Sequence, residues 1–391
     1  GLATDLIEAV TSNGITGLGD EAITVDSGTA TTAQANALAD ETSGIVTAAI
    51  AEGDLTTLAA LNGTGNAYSI TIDDASVDAA ALNTLDGKTT VAIDAAAVTT
   101  LTGAAVDLNT AFDSGGISNL SDQDVTLTDT SLTASVLNAL DDNTTGSIDA
   151  SSITALTGSA TDLIEAVTAN GITGLGDEAI TVDSGTATTA QANDLADETS
   201  GIVTATIAEG DLATLAGLTG TGNAYSITID DASVDAAALN TLDGKTTVAI
   251  DAAAVTTLTG AAVTLNTAFD SGGISNLSDQ DVTLTDSSLT ASVLNALDGN
   301  TTGSIDANTL NTLTGAAVDL NTAFDSGGVS NLGDQDVTLT DTSLTASVLN
   351  ALDDNTTGSI DANTLNTLTG AAVDLNTAFD SGGVSNLGDQ D

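Results

Sequence analysis

The sequence predicts a repeat solenoid, specifically a right-handed α/β solenoid with one parallel sheet and short helices. Three observations predict it. The chain repeats itself: Asp5 onward recurs at Asp162 onward, a period of 157 residues, and Val282 onward recurs at Val337 onward, a period of 55. The two 55-residue copies differ only at Ser287 against Thr342 and Gly299 against Asp354. Strand-like core positions Val25, Val46, Ile72, Ile93, Leu127, Ile148 and Val182 follow at spacings of 21, 26, 21, 34, 21 and 34. A constant 21-residue step thus alternates with a variable one, and the long period is built from one 47-residue unit and two 55-residue units. Finally, one strand and one short helix per step cannot bury an apolar face alone, whereas stacked neighbours can. Strands joined through helices imply parallel pairing and a right-handed crossover. An all-β parallel helix is the alternative, favoured by the Thr, Ile and Val content.

The first element of the short step alternates, with Ile70 and Ile72 inward and Thr71 and Asp73 outward, as a half-buried strand does. In DASVDAAALNTLDG, Val77, Leu82 and Leu85 share a helical face, Ser76 or Asp78 can cap its start, and Asp86-Gly87 closes it. Thr89-Thr90-Val91 re-enters a strand. In the long step Val98, Leu101, Val106, Leu108 and Phe112 fall on helical spacings, interrupted by Gly103 and ended by Gly115-Gly116. Ile117 to Leu120 is a short extended piece leading into the next strand. The rhythm from Ile117 to Leu132 loosely resembles that of leucine-rich repeats, without the Asn those carry after the strand. We therefore expect a single continuous solenoid over residues 1–391 with Val25, Val46, Ile72, Ile93, Leu127 and Ile148 in one buried column. Fourteen strand positions at about 4.8 Å each give a stack about 65 Å long. Gly1–Gly19 nearly matches Gly158–Gly176, and another VTLTDTSL would follow Asp391, so the chain reads as a fragment of a longer array.

Composition narrows the function. Two basic residues, Lys88 and Lys245, stand against 55 acidic ones, a net charge of −53. Pro, Cys, Met, Trp, His and Arg are absent, and the six aromatics are Tyr68, Tyr225, Phe112, Phe269, Phe324 and Phe379. High charge with few aromatics usually signals disorder, but 41% of the residues are hydrophobic and recur in register. Without Cys there is no disulfide framework and no thiolate metal site. Few oxidation-prone side chains suit exposure outside a cell. No apolar run approaches the roughly 18 residues of a membrane span, so no membrane insertion is expected. A strongly negative chain without a basic patch is not expected to bind nucleic acid. The Gly-rich pieces DSGGIS and NGTGNAYS lack a phosphate-loop context and read as helix stops and turns.

No catalytic residue, resident cofactor or metal ligand is assigned. Without His, Cys or Arg there is no evident general base, and near-identical acids in every repeat suit structural positions better than a singular active site. Calcium is the one ion the pattern admits: Asp122-Gln123-Asp124, Asp141-Asp142-Asn143, and Asp73 with Asp94 supply hard oxygens at turns. None follows the EF-hand loop or the calcium-binding nonapeptide, and solvated or helix-capping Asp is the plainer reading. Diffuse cations are expected regardless, because the charge amounts to one per about 1.2 Å of the expected stack, against one per about 1.7 Å in duplex DNA. Outward Thr24, Thr71 and Thr126 suggest an ice-binding lattice, but Ile45, Ala92 and Ser147 interrupt it.

The run VTLTDTSLTASVLNALDDNTTGSIDASSITALTG resembles the tandem repeats of giant acidic cell-surface proteins of marine bacteria, including the swimming-motility cell-surface proteins of marine cyanobacteria. The resemblance covers essentially the whole chain. It implies an extracellular or cell-surface location and a non-enzymatic structural role as a surface layer, stalk or filament, and carries over no functional residue. A calcium-dependent adhesin or binding stalk is the alternative, weakened by the absence of Trp and the scarcity of Tyr for sugar stacking. The expected partners are copies of the same array, by self-association or end-to-end continuation.

Overall fold

The computed structural model describes residues 1–388. The expected continuation past Asp391 lies outside these residues. The chain divides into two compact units, one of Gly1–Thr186 with Asp194–Thr204, the other of Ala187–Asn193 with the chain from Ala205 onward. Each is an α/β repeat fold in which short helices alternate with very short parallel strands.

Within the first unit the ladder runs Val77, Leu101, Val125, Ile148, Ile172, each beside the next in parallel. A second ladder runs Leu132, Leu156, Ile180, Val203. A third pairs Ile93 with Ile117, and a fourth pairs Ile23 with Val46. In the second unit Val234, Leu258, Val282, Ile305 and Val329 form one ladder, while Leu289, Leu313, Val337, Ile360 and Val384 form another. There are thus several parallel sheets, not the one expected.

The structural step is correspondingly different from the sequence step. Partners in these ladders lie 23 or 24 residues apart, as Val125 to Ile148 and Leu101 to Val125 show. Two such coils carry Val77 through Leu101 to Val125, and the next copy of Val77, Leu132, stands 7 residues further on. It therefore enters a different sheet. In the second unit the three successive copies Val234, Leu289 and Leu344 lie in three separate sheets. The six expected column residues are all buried, but they do not form one column: Ile93 pairs with Ile117, and Ile148 with Val125 and Ile172.

The sequence hides these rungs because their own patterns do not display them. Val98 and Leu101 are three residues apart and mimic a helical face, yet Thr100–Gly103 is a strand with Leu101 inward. The helix begins only at Ala105 and runs to Asp113, burying Leu108 and Ala111 and leaving Val106 64% exposed. Gly103 belongs to the strand, at φ 149, a backbone conformation that L side chains rarely adopt. Ile117-Ser118 is a full rung rather than a lead-in to the next strand. It is bounded by Gly116 and by Asn119 at φ 63, too short to display alternation. Thr89 makes a single bridge to Asn66 rather than opening a strand, which begins at Ile93.

The shorter helix lies close to where its leucine spacing predicts it. It spans Ala79–Asp86, with Leu82 and Leu85 buried and Gly87 at its C-cap. Asp78 caps it, accepting the Ala81 N–H at 2.9 Å, and Ser76 does not. Val77 is buried in the strand Ser76–Asp78 that precedes it. Helices stack on helices of the next coil through an asparagine that follows a buried leucine. Asn83 donates to the Asp107 carbonyl at 2.8 Å, Asn109 to Val136 at 3.1 Å, and Asn138 to Asp162 at 3.0 Å. Ala104 and Ala261 have no side chain to cap the helices they precede, and an acid of the following coil takes that place: Asp129 accepts the Ala105 N–H and Asp286 that of Ala262, both at 2.7 Å. A carboxylate there also meets the positive end of the helix dipole.

Candidate functional site

The turn expected to offer calcium ligands, Asp122-Gln123-Asp124, closes on its own glutamine. Gln123 is 4% exposed. Its Oε1 accepts the N–H groups of Ser121 (2.8 Å) and Asp122 (3.2 Å). Its Nε2 donates to the Val98 carbonyl (3.2 Å), the Asn119 carbonyl (3.2 Å) and Asp122 Oδ1 (3.0 Å). From the next coil Thr144 Oγ1 donates to the Gln123 carbonyl at 2.8 Å and accepts the Gly146 N–H at 3.0 Å. Gly146 must be glycine, because a Cβ there would collide with that carbonyl. The same network recurs at Gln280 and Gln335. Each turn floors a shallow polar depression, lined at the first by Val98, Thr99, Asn119, Ser121 and Asp122. An amide NH2 is a donor, so it occupies these oxygens and cannot itself ligate a cation.

The other acids singled out in the sequence are also engaged in the fold. Asp124 Oδ1 accepts the Ser147 N–H of the next coil at 2.9 Å. Asp94 Oδ1 accepts Ala96 N–H at 3.1 Å and Asn119 Nδ2 at 2.7 Å. Asp73 lies against the Gly53 backbone. Asp141, Asp142 and Asn143 end the helix Ala134–Asn143. Asn143 turns away to donate to Asn109 Oδ1 at 3.0 Å. Burial, and then the neighbouring Asp142 charge, raise the Asp141 carboxyl above its ordinary value. Thr126 stands between Thr102 and Asp149 in the ladder, and Thr71 bridges to Asp94, so acids break the outward threonine rows.

The residue that sequence reasoning missed is Glu178. At Gly19-Asp20-Glu21 and Gly176-Asp177-Glu178 the turn carries Glu where the other copies carry Gln, a visible signal in GLGDEA against NLSDQD. Glu178 is 0% exposed. Its Oε2 accepts Gly176 N–H (2.6 Å) and Asp177 N–H (3.1 Å), as the glutamine oxygen does. Thr199 Oγ1 donates to the Glu178 carbonyl at 2.7 Å, as Thr144 does to Gln123. Glu178 Oε1, in the place of the amide nitrogen, has no hydrogen-bond partner. Glu21, in the first of these turns, is partly exposed, and its carboxyl is held below the usual range chiefly by the Gly19 N–H, against a smaller opposing effect of burial.

Among the described residues no three His, Cys, Asp or Glu side chains converge to hold a metal, and no helix is long and apolar enough to cross a membrane. No family model matches the chain, and no curated protein matches it significantly.

Proposed function

We propose that this chain is a non-enzymatic structural repeat segment of an extracellular or cell-surface protein, where it forms part of a layer, stalk or filament. In this reading it is a right-handed solenoid, its partners are further copies of the same array, and its excess charge is balanced by diffuse cations. The observation that carries the reading is the uniform use of the repeated polar side chains. The Gln123-type plugs, the Asn83-type helix links and the Asp129-type caps all hold one coil to the next. Repetition here supports extension and stacking rather than a singular reactive centre. The cell-surface resemblance of the repeats and the absence of oxidation-prone Cys, Met and Trp support the same location. Antibody labelling of intact cells against permeabilised ones tests it. Labelling of intact cells at full intensity is expected, and labelling only after permeabilisation would overturn the reading.

A further inference from the structure

We infer that the Glu178 turn is a calcium site, one that the glutamine turns cannot form. Five hydrogen bonds match between the two kinds of turn. The paired N–H groups bind Oε2 of Glu178 as they bind Oε1 of Gln123. The threonine hydroxyl of the next coil binds the carbonyl in both. Ala179 N–H meets the Thr154 carbonyl as Asp124 N–H meets that of Thr99, and Ser200 N–H meets Gly176 as Thr145 N–H meets Ser121. Gly174, at φ 84, takes the left-handed place of Asn119. By this correspondence Glu178 Oε1 faces three oxygens, the carbonyls of Ile153 and Gly174 and the carboxylate of Asp177. In the Gln123 turn the equivalent three accept the amide at 3.0–3.2 Å. A carboxylate has no proton to give them, so four oxygens converge with no donor among them, and a buried acceptor left in that state is costly.

A cation resolves the conflict. Oxygens about 3 Å apart are the spacing found along the edges of a calcium coordination shell whose bonds are about 2.4 Å. Two carboxylates and two carbonyls match its charge and its preference for hard oxygen. Asp177 is exposed, which leaves an entry path and positions for water, while Glu178 closes the inner side. The stiff carbonyl pair suits calcium better than magnesium, which demands a near-regular octahedron and sheds water reluctantly. The site is independent of the cellular role proposed above.

The test is calcium titration of the full chain by calorimetry at fixed ionic strength and with magnesium in excess, comparing wild type with Glu178→Gln. The variant copies the side chain of three other turns and keeps the fold. Wild type should bind one saturable calcium per chain more than the variant, and its melting temperature should rise with calcium beyond the rise that magnesium gives. In Glu178→Gln that excess should vanish. Asp177→Asn, which leaves the buried side chain in place, should weaken the same site at least tenfold. Equal calcium stoichiometry in wild type and Glu178→Gln would overturn the inference. So would a wild type stabilised by acid but not by calcium, which would assign a proton to the place.

Discussion

In four copies a serine of the following coil donates a hydrogen bond to an aspartate near the end of a helix. Ser114 Oγ donates to Asp86 Oδ2 at 2.7 Å, and Ser271, Ser326 and Ser381 do the same to Asp243, Asp298 and Asp353. At the corresponding place beside Asp141 the chain has Ala169. Burial, and then the Asp142 charge, push the Asp141 carboxyl up. A raised acid favours the fold in its neutral form. Its contribution is therefore complete below the ordinary carboxylate value and is lost as pH rises through the raised one. Ala169→Ser restores a donor to the charged form and should stabilise the first unit by about 1 kcal/mol at neutral pH. The gain should fade in acid, as thermal melts at pH 7 and pH 3 would show. Tyr68 offers the reverse case. Its hydroxyl is buried without a partner, and burial, then the Asp40 charge, push it up to about 12. Its copy Tyr225 donates to the Ala192 carbonyl at 3.3 Å. Tyr68→Phe should be neutral or stabilising by about 1 kcal/mol, whereas Tyr225→Phe should cost about that much. Both are read from denaturant midpoints.

At the scale of elements, the legible parts were those that local chemistry specifies. Leu82 and Leu85 with Asp78 and Gly87 mark a helix by spacing, cap and stop. The Thr100–Gly103 strand was illegible because its partner in the next coil, not its own pattern, makes it extended. Ile117 was missed as a rung for the same reason. The asparagine links were visible as a recurring Leu-Asn pair but have no meaning until two helices stack. Glu178 was likewise visible as an exchange for Gln, and only burial turns that exchange into a chemical problem. The same dependence on neighbours governs stability. Leu137 is buried in the helix Ala134–Asn143. Leu137→Asp should therefore remove hydrogen-exchange protection mainly in the coils beside it, at a cost of several kcal/mol or about that order. Uniform loss of protection would contradict the coil-by-coil account. The short helices respond to acid. Asp54 is held below the ordinary value by the Thr57 hydroxyl and N–H, and Asp211 by the Thr214 N–H and hydroxyl. A depressed acid stabilises above its ordinary value and loses that contribution as pH falls through the folded one. Protection of Leu55–Leu58 and Leu212–Leu215 should accordingly begin to weaken below about pH 4 and be lost as pH falls through the lowered value.

For the molecule as a whole, two quantities compete, a thin aliphatic core and a net charge of −53. Neighbouring coils lie about 4.8 Å apart, inside a Debye length of about 8 Å at physiological ionic strength. Repulsion between them survives in ordinary buffer and opposes the stack. Raising sodium chloride should raise the melting temperature smoothly, and divalent ions should do so at lower concentration. A melting temperature indifferent to salt would remove the electrostatic part of the account. The central claim is geometric: through the 55-residue copies the coil takes 23 or 24 residues, so a copy overshoots two coils and lands in another sheet. A chain without native cysteine is suited to testing this with paired spin labels. One pair is placed at Thr102 and Thr126, which are ladder partners, and another at Thr126 and Thr181, which are equivalent positions of successive copies in different sheets. The account predicts strong dipolar broadening at Thr102/Thr126 and a Thr126/Thr181 separation well beyond the roughly 10 Å of two stacked strands. Weak coupling in the first pair, with a separation near 10 Å in the second, would contradict it.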